Sequence, residues 1–261
     1  MNQMNQAERR LYLIRALLDE CGAGSAVSIP AEAEAQRQFL RALFNTRHAA
    51  PASDEFLKVQ DDYLKEEIAR KGITDADALN YSADGIAVWR GDITTLRCDA
   101  IVNAANSQML GCFCPNHGCI DNAIHTFAGV ELRLYCAQMM QEQGHSEPTG
   151  MAKLTPGFNL PCKYILHTVG PIVNGRVKDA DRTALRSCYQ SCLDAAADAG
   201  LKSVAFCCIS TGEFCFPNKL AAQIAIDTVR AHKATGNDKI RVIFNVFKQM
   251  DEGIYNLLLS K

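Results

Sequence analysis

The alternation of apolar and polar positions divides the chain at about residue 80. Before that point apolar residues recur at helical spacing. The segment 7–20, AERRLYLIRALLDE, sets Leu11, Ile14, Leu17 and Leu18 on one face, and the stretch from Gly22 to Ser25 ends it. Residues 31–47, opened by Ile29 and Pro30, read as a second helix; residues 53–72 read as a third, with Ser53 as its N-cap. The plain reading is a helical bundle covering one side of a core, with a separate regulatory or partner-binding role as the alternative. Nothing in these helices resembles catalytic chemistry.

From Ile86 the pattern switches to short apolar runs separated by helical ones. Strands are predicted at 86–89, 100–103, 164–169, 204–209 and 240–247. Helices are predicted at about 121–143, 181–199 and 217–232, with a short closing helix at 255–259. Strands alternating with helices imply parallel βαβ pairings and a three-layer α/β/α sandwich. The expected organisation is a helical N-terminal extension, 1–80, followed by an α/β domain, 81–261. Ligands in such folds bind outside the carboxyl ends of the strands, which is where the candidate loops fall.

Composition narrows the classes. With 48% hydrophobic and 21% charged residues among 261, a packed core is expected rather than disorder. The formal charge of -2 argues against a general nucleic-acid binder, which needs a basic face. No apolar run reaches transmembrane length, and the N-terminus lacks the basic-then-apolar order of a secretory signal, so a cytoplasmic location without membrane attachment is expected. There thiols stay reduced, and most of the 12 cysteines, such as Cys188, Cys192, Cys207 and Cys208, read as small buried apolar residues.

One stretch has ligand spacing. In 111–125, GCFCPNHGCIDNAIH, two thiols and an imidazole at Cys112, His117 and Cys119 form a set suited to Zn²⁺. Pro115 and Gly118 bend the loop between them. Three protein ligands leave a fourth position open, as in catalytic rather than structural zinc sites. Cys114 is a rival ligand, and His125 a candidate fourth ligand or a packing residue. Asp121 follows at the predicted helix start.

Other positions carry weaker signals. Ser210-Thr211-Gly212, between a strand and a helix, suits a phosphate or serves only as a steric turn. Asp92 caps a turn or accepts from the exocyclic amine of a base. Asn103 reads as structural, and Asn106, nearer the ligand loop, as the better candidate for sugar contact.

Together these pieces resemble the macrodomain family of ADP-ribose-binding modules. Gly91-Asp92-Ile93-Thr94, then Ile101-Val102-Asn103-Ala104-Ala105-Asn106, then Ser210-Thr211-Gly212 ending at Phe216-Pro217 match its motifs in order and spacing, over roughly 82–261. The cysteine-rich loop stands where many macrodomain hydrolases have a glycine-rich one, and is similar to the zinc-dependent macrodomain subgroup of microbial proteins. That resemblance implies removal of ADP-ribose from modified proteins, with Cys112 and Cys119 flanking the histidine as ligands and the Cys114 position variable. It further implies Asp92 on the adenine amine with Ile93 packing beside it, Asn106 on the distal ribose, and Ser210, Thr211, Gly212, Glu213 and Phe214 around the diphosphate. It places Phe247 near the adenine or proximal ribose.

The expected reaction breaks the bond between C1 of the distal ribose and a side-chain oxygen of an ADP-ribosylated protein, releasing ADP-ribose. Charge develops on the sugar as in glycoside hydrolysis. A water or a substrate oxygen would be polarised at the zinc, with Asp121 orienting the water or accepting its proton and Asn106 fixing the ribose. Two rival classes are a non-catalytic ADP-ribose reader with a structural zinc and an O-acetyl-ADP-ribose deacetylase.

Overall fold

The computed structural model describes residues 4–24, 26–236 and 239–260. Three helices come first, α1 (Gln6–Glu20), α2 (Ala33–Thr46) and α3 (Asp54–Lys71). Asn5 and Glu8 close a capping box on α1, and the Ser53 hydroxyl accepts from the Phe56 amide, as the sequence predicts. The buried face of α1 runs through Leu13, Ile14, Leu17 and Leu18, whereas Leu11 is half-buried. Ser25, expected at its end, lies outside the described residues.

The strands are β1 (Thr74–Asp75), β2 (Ile86–Arg90), β3 (Leu96–Arg97), β4 (Ala100–Ala105), β5 (Ala152–Pro156), β6 (Tyr164–Val169), β7 (Ser203–Phe206) and β8 (Arg241–Val246). The later helices are α4 (Ile120–Ala128), α5 (Val130–Gln143), α6 (Asp179–Asp198), α7 (Asn218–Ala234) and α8 (Gln249–Leu259). Six strands form one sheet in the order β2-β8-β7-β4-β6-β5, and β1 pairs with β3 apart from it. The three-layer α/β/α sandwich is as expected, with several differences: the short strands β1 and β3 were not predicted, and the strand expected over 204–209 ends at Phe206. β5 was not foreseen, and it runs antiparallel to β6, so the sheet is mixed. The single helix expected over 121–143 is two. Gly129 separates them at φ 99°, where a side chain would be strained and its Cβ would lie 2.7 Å from the Gln60 amide nitrogen. The closing helix begins at Gln249, earlier than the sequence pattern indicates.

The central strands are buried on both faces, which is why they read as continuous apolar runs: Ile101, Val102, Ile165, Leu166, Val204, Val242 and Ile243 are all fully buried. Cys188, Cys192 and Cys207 are buried among them, as expected of small apolar residues. Ile68 near the end of α3 joins this core. Phe56, Val59, Tyr63 and Leu64 of the same helix form a second cluster with Leu13, Leu17, Leu40 and Val130. No helix among the described residues is long and apolar enough to cross a membrane.

Strand order locates the site. From β4 the chain moves to β5 and β6 on one side, and from β7 it moves to β8 on the other. The crevice between the carboxyl ends of β4 and β7 is therefore the topological switch point, where open α/β sheets bind ligands. The loop after β4 carries Asn106 and the ligand loop; the loop after β7 carries Ser210 to Phe214.

Candidate active site

Cys112, His117 and Cys119 converge. Their ligand atoms all lie within 4.8 Å of one another, and Cys114, which is exposed, is not among them. The Cys112 Sγ and His117 Nδ1 are 3.5 Å apart. Bonds of about 2.3 Å to sulfur and 2.0–2.1 Å to nitrogen at a tetrahedral zinc place two such atoms roughly 3.5 Å from each other, so the spacing fits one ion. Burial pushes the Cys119 thiol up to about 12, and Cys112 and Asp121 push the same way. A divalent cation would offset that crowding by favouring the thiolate form, so these residues could hold one. Gly111, at φ 80°, starts the loop against the His125 ring, where a Cβ would approach to 2.7 Å.

Asp121 lies at the start of α4 and is buried. Its Oδ1 accepts from Asn103 Nδ2 at 2.8 Å and its Oδ2 from Asn106 Nδ2 at 3.3 Å. Burial raises its carboxyl to about 6 against the opposing pull of the Asn103 bond and the Arg133 charge. Asn106 also donates to the Gly111 carbonyl and accepts from the Gln108 amide, so its side chain ties the loop as well as facing Asp121. Asn103 is structural, as read from sequence, and it also donates to His167 Nδ1 at 3.1 Å.

His125 does not join the group of Cys112, His117 and Cys119. It is buried with Cys136 and His167 as a second His/Cys group, and its Nε2 is 3.6 Å from Asp121 Oδ1. His167 was not singled out from sequence. It takes the Asn103 bond on Nδ1 and donates from Nε2 to Thr155 Oγ1 at 3.0 Å, which fixes it as the neutral tautomer. Burial lowers its pKa to about 3. Burial also drives His125 well down, with His167 and Arg133 acting in the same direction. For a histidine depressed below its unfolded value of about 6.5, stability is complete above that pH and is lost as the pH falls toward 3. Each pKa unit is worth about 1.36 kcal/mol, so His167 alone costs about 2 kcal/mol between pH 6.5 and 5. Melting temperatures taken in chelator at pH 7 and pH 5 should show that loss, and His167→Gln should reduce it, leaving the part due to His125. An equally steep profile in the variant would contradict this account.

Asp92 follows β2. Its Oδ1 accepts from the Thr94 amide at 3.0 Å and the Thr94 hydroxyl at 2.6 Å, capping the 3-10 turn Ile93–Thr95. Its Oδ2 accepts from Lys71 Nζ of α3 at 2.9 Å. Burial alone would raise this carboxyl, but the Thr94 and Lys71 bonds hold it below the ordinary range. Ile93 is packed into the core, and Phe247 stands largely in the open at 78% exposure.

In the loop after β7, Ser210 adopts the left-handed region at φ 63°, and Phe216 N–H bonds back to its carbonyl. The amides of Gly212, Glu213 and Phe214 have no hydrogen bond among the described residues, so the curved loop presents donors outward, as anion-binding loops do. Glu213 lies across the crevice, its Oε1 3.6 Å from His117 Nε2. The structure thus brings the ligand loop, Asp121, Asn106 and the 210–214 loop to one crevice, with Asp92 at the end of β2, the strand paired with β8.

The sequence profile of the Macro domain family matches residues 102–225, which span all of these loops except the one at Asp92. The chain is 56% identical to a protein-ADP-ribose hydrolase of Treponema medium, over 98% of this chain and 100% of that one. The chain belongs to the macrodomain family. Among solved macrodomains, that of Trypanosoma brucei in complex with ADP-ribose superposes with a TM-score of 0.65 at 31% identity, covering 84% of this chain and 94% of that one. The Oceanobacillus iheyensis macrodomain with ADP gives a TM-score of 0.63 at 36% identity, covering 70% of this chain and 94% of that one. Sequence reading missed several residues of this macrodomain's site. Asn122 sits inside the ligand motif and was assigned no role; Lys71, Arg41 and Asn45 come from the N-terminal helices, where the sequence gives no chemical signal.

Proposed function

We propose that this macrodomain removes ADP-ribose from mono-ADP-ribosylated proteins by cleaving the bond at C1 of the distal ribose, with zinc as its cofactor. The activity rests above all on the 56% identity, over nearly the full length of both chains, to a protein-ADP-ribose hydrolase. The zinc reading is supported by the convergence of Cys112, His117 and Cys119. Residues 81–261 are read as the macrodomain and 1–80 as its helical extension, acting in the cytoplasm.

In this reading the Gly212, Glu213 and Phe214 amides, with Ser210 and Thr211, take the diphosphate, and Asp92 with Ile93 takes the adenine. Asn106 fixes the distal ribose beside Asp121. The zinc supplies Lewis-acid stabilisation of negative charge developing on oxygen. Asp121, held by Asn103 and Asn106, accepts a proton from the attacking water as the new C1–O bond forms. As that bond forms, the old C1–O bond breaks with its electron pair passing to the protein oxygen, which takes up the proton that Asp121 received.

The deciding experiment offers the zinc-loaded protein a mono-ADP-ribosylated protein and O-acetyl-ADP-ribose in parallel. Free ADP-ribose should appear from the modified protein. Tight binding with no release would make the chain a reader, and faster release from the ester would make it a small-metabolite hydrolase.

Asp92 provides a test of the binding mode. Asp92→Asn keeps a capping oxygen for Thr94 but removes the charge offered to the base amine, a loss of roughly 1.5–3 kcal/mol. ADP-ribose should bind at least about ten-fold more weakly by calorimetry, with zinc content unchanged. An unaltered affinity would leave Asp92 as a turn residue and partner of Lys71.

A further inference from the structure

The ligand loop has little structure of its own. Between Gly111 and Cys119 it contains neither helix nor strand, and its one internal backbone bond runs from the His117 amide to the Cys114 carbonyl at 3.2 Å. Its entry and middle pass through the left-handed region at Met109, Gly111 and Asn116, which glycine takes freely and Met109 takes at a cost. A loop of this kind offers three ligands to one ion only if something outside it fixes the backbone.

The partners come from α2. Arg41 Nη2 donates to the carbonyl of His117, one of the three ligands, at 3.0 Å. The same guanidinium donates from Nε and Nη2 to Asn122 Oδ1, at 3.2 and 2.8 Å. Asn122 in turn donates from Nδ2 to the carbonyls of Cys112 and Cys114, at 3.4 and 2.9 Å, and its amide meets Cys119 Sγ at 3.4 Å. Asn45, 1% exposed, accepts from the Asn116 amide at 2.9 Å and donates to Thr126 of α4 at 2.9 Å. Arg133 of α5 donates to Leu110 just ahead of the loop at 2.8 Å, and to the carbonyls of Phe44 and Arg47 at the end of α2. His117 and Cys112 are therefore held at their own carbonyls by bonds that lead back to α2, directly or through Asn122, and Cys119 is met at its sulfur by the Asn122 backbone amide.

We infer that Arg41 and Asn45 of the N-terminal extension are positioning residues for the metal centre, so that the extension assembles the ligand set rather than merely covering the sheet. This rests on reading Cys112, His117 and Cys119 as metal ligands. The planar guanidinium suits the task because it reaches a carbonyl and an amide oxygen at once; an ammonium cannot reproduce that fork. Outer partners that orient ligands typically carry 10–100-fold in metal affinity.

The test compares wild type, Arg41→Ala and Arg41→Lys, each loaded with zinc and competed with a chromophoric chelator. Melting temperature and ADP-ribose affinity are measured alongside. Zinc affinity should fall about 10–100-fold in Arg41→Ala and recover at most in part in Arg41→Lys. ADP-ribose affinity should stay within about two-fold, because Asp92 and the 210–214 loop are untouched. Should Arg41→Ala not fold, Arg41→Lys, which keeps the charge and the aliphatic stem, carries the comparison. Wild-type zinc affinity in the folded variants, whatever the change in melting temperature, would overturn the inference and leave Arg41 as packing. A wild-type protein that binds no zinc would remove the ligand assignment itself, and this inference with it.

Discussion

Asp121→Asn will slow release of ADP-ribose from a modified protein by about 10²–10⁴-fold in single turnover, the usual contribution of a general base, while zinc and ADP-ribose still bind. The sequence leaves a structural alternative, that Asp121 only caps α4, with a cost of about 1 kcal/mol in stability and turnover nearly intact. The cap position, however, is filled by Cys119, whose sulfur receives the Asn122 amide. The Asp121 carboxylate points instead to Asn103 and Asn106, which hold its two oxygens. Asparagine is preferred to alanine because alanine would leave the buried Asn103 amide without its partner, at a cost of about 1–3 kcal/mol that confuses stability with catalysis. Melting temperature, zinc content and single-turnover rate are to be read on the same sample. A stable, zinc-loaded variant that cleaves at the wild-type rate would take Asp121 out of the mechanism.

Cys112→Ala, His117→Ala and Cys119→Ala will each lose most of the one zinc expected per chain, and with it most of the activity; Cys114→Ala will keep both. The prediction separates four residues that lie within eight positions of one another. Three of them place ligand atoms within 4.8 Å of one another. Cys114 takes part through its carbonyl, which accepts from Asn122, while its thiol is exposed. With only three protein donors, losing one removes a third of them, and a pair of ligands rarely retains zinc against a chelator. Metal analysis after gel filtration in mild chelator gives the answer directly. Zinc lost from Cys114→Ala but retained by Cys112→Ala would reverse the assignment.

The convergence of Cys112, His117 and Cys119 was legible because it is local: two thiols and an imidazole within eight residues announce themselves without a fold. The layer architecture was legible because β4, β6, β7 and β8 are buried on both faces and so read as unbroken apolar runs. β5 escaped notice for the opposite reason. It is an edge strand, mostly half-buried, and it ends in Pro156, so neither alternation nor an apolar run marks it. The break at Gly129 was hidden because a lone glycine is tolerated within a helical pattern, and only its contact with Gln60, far away in sequence, requires it. Arg41 lies 76 positions before His117 and 81 before Asn122. Periodicity reports which way a side chain faces along its own helix, not what a distant loop will bring to it, so the braces of the site were invisible until the chain was folded.

The way α3 is shared between the two apolar clusters bears on motion. Ile68 is seated in the sheet's core, Tyr63 and Leu64 in the cluster under α1 and α2, and Gln60 accepts from the Val130 amide at 2.8 Å. Swinging the helices outward would unseat Ile68 at about 2 kcal/mol, open the second cluster where it meets Val130, and strand a buried amide at 1–3 kcal/mol more. Helices α1 to α3 are therefore a fixed wall of the crevice and not a door to it.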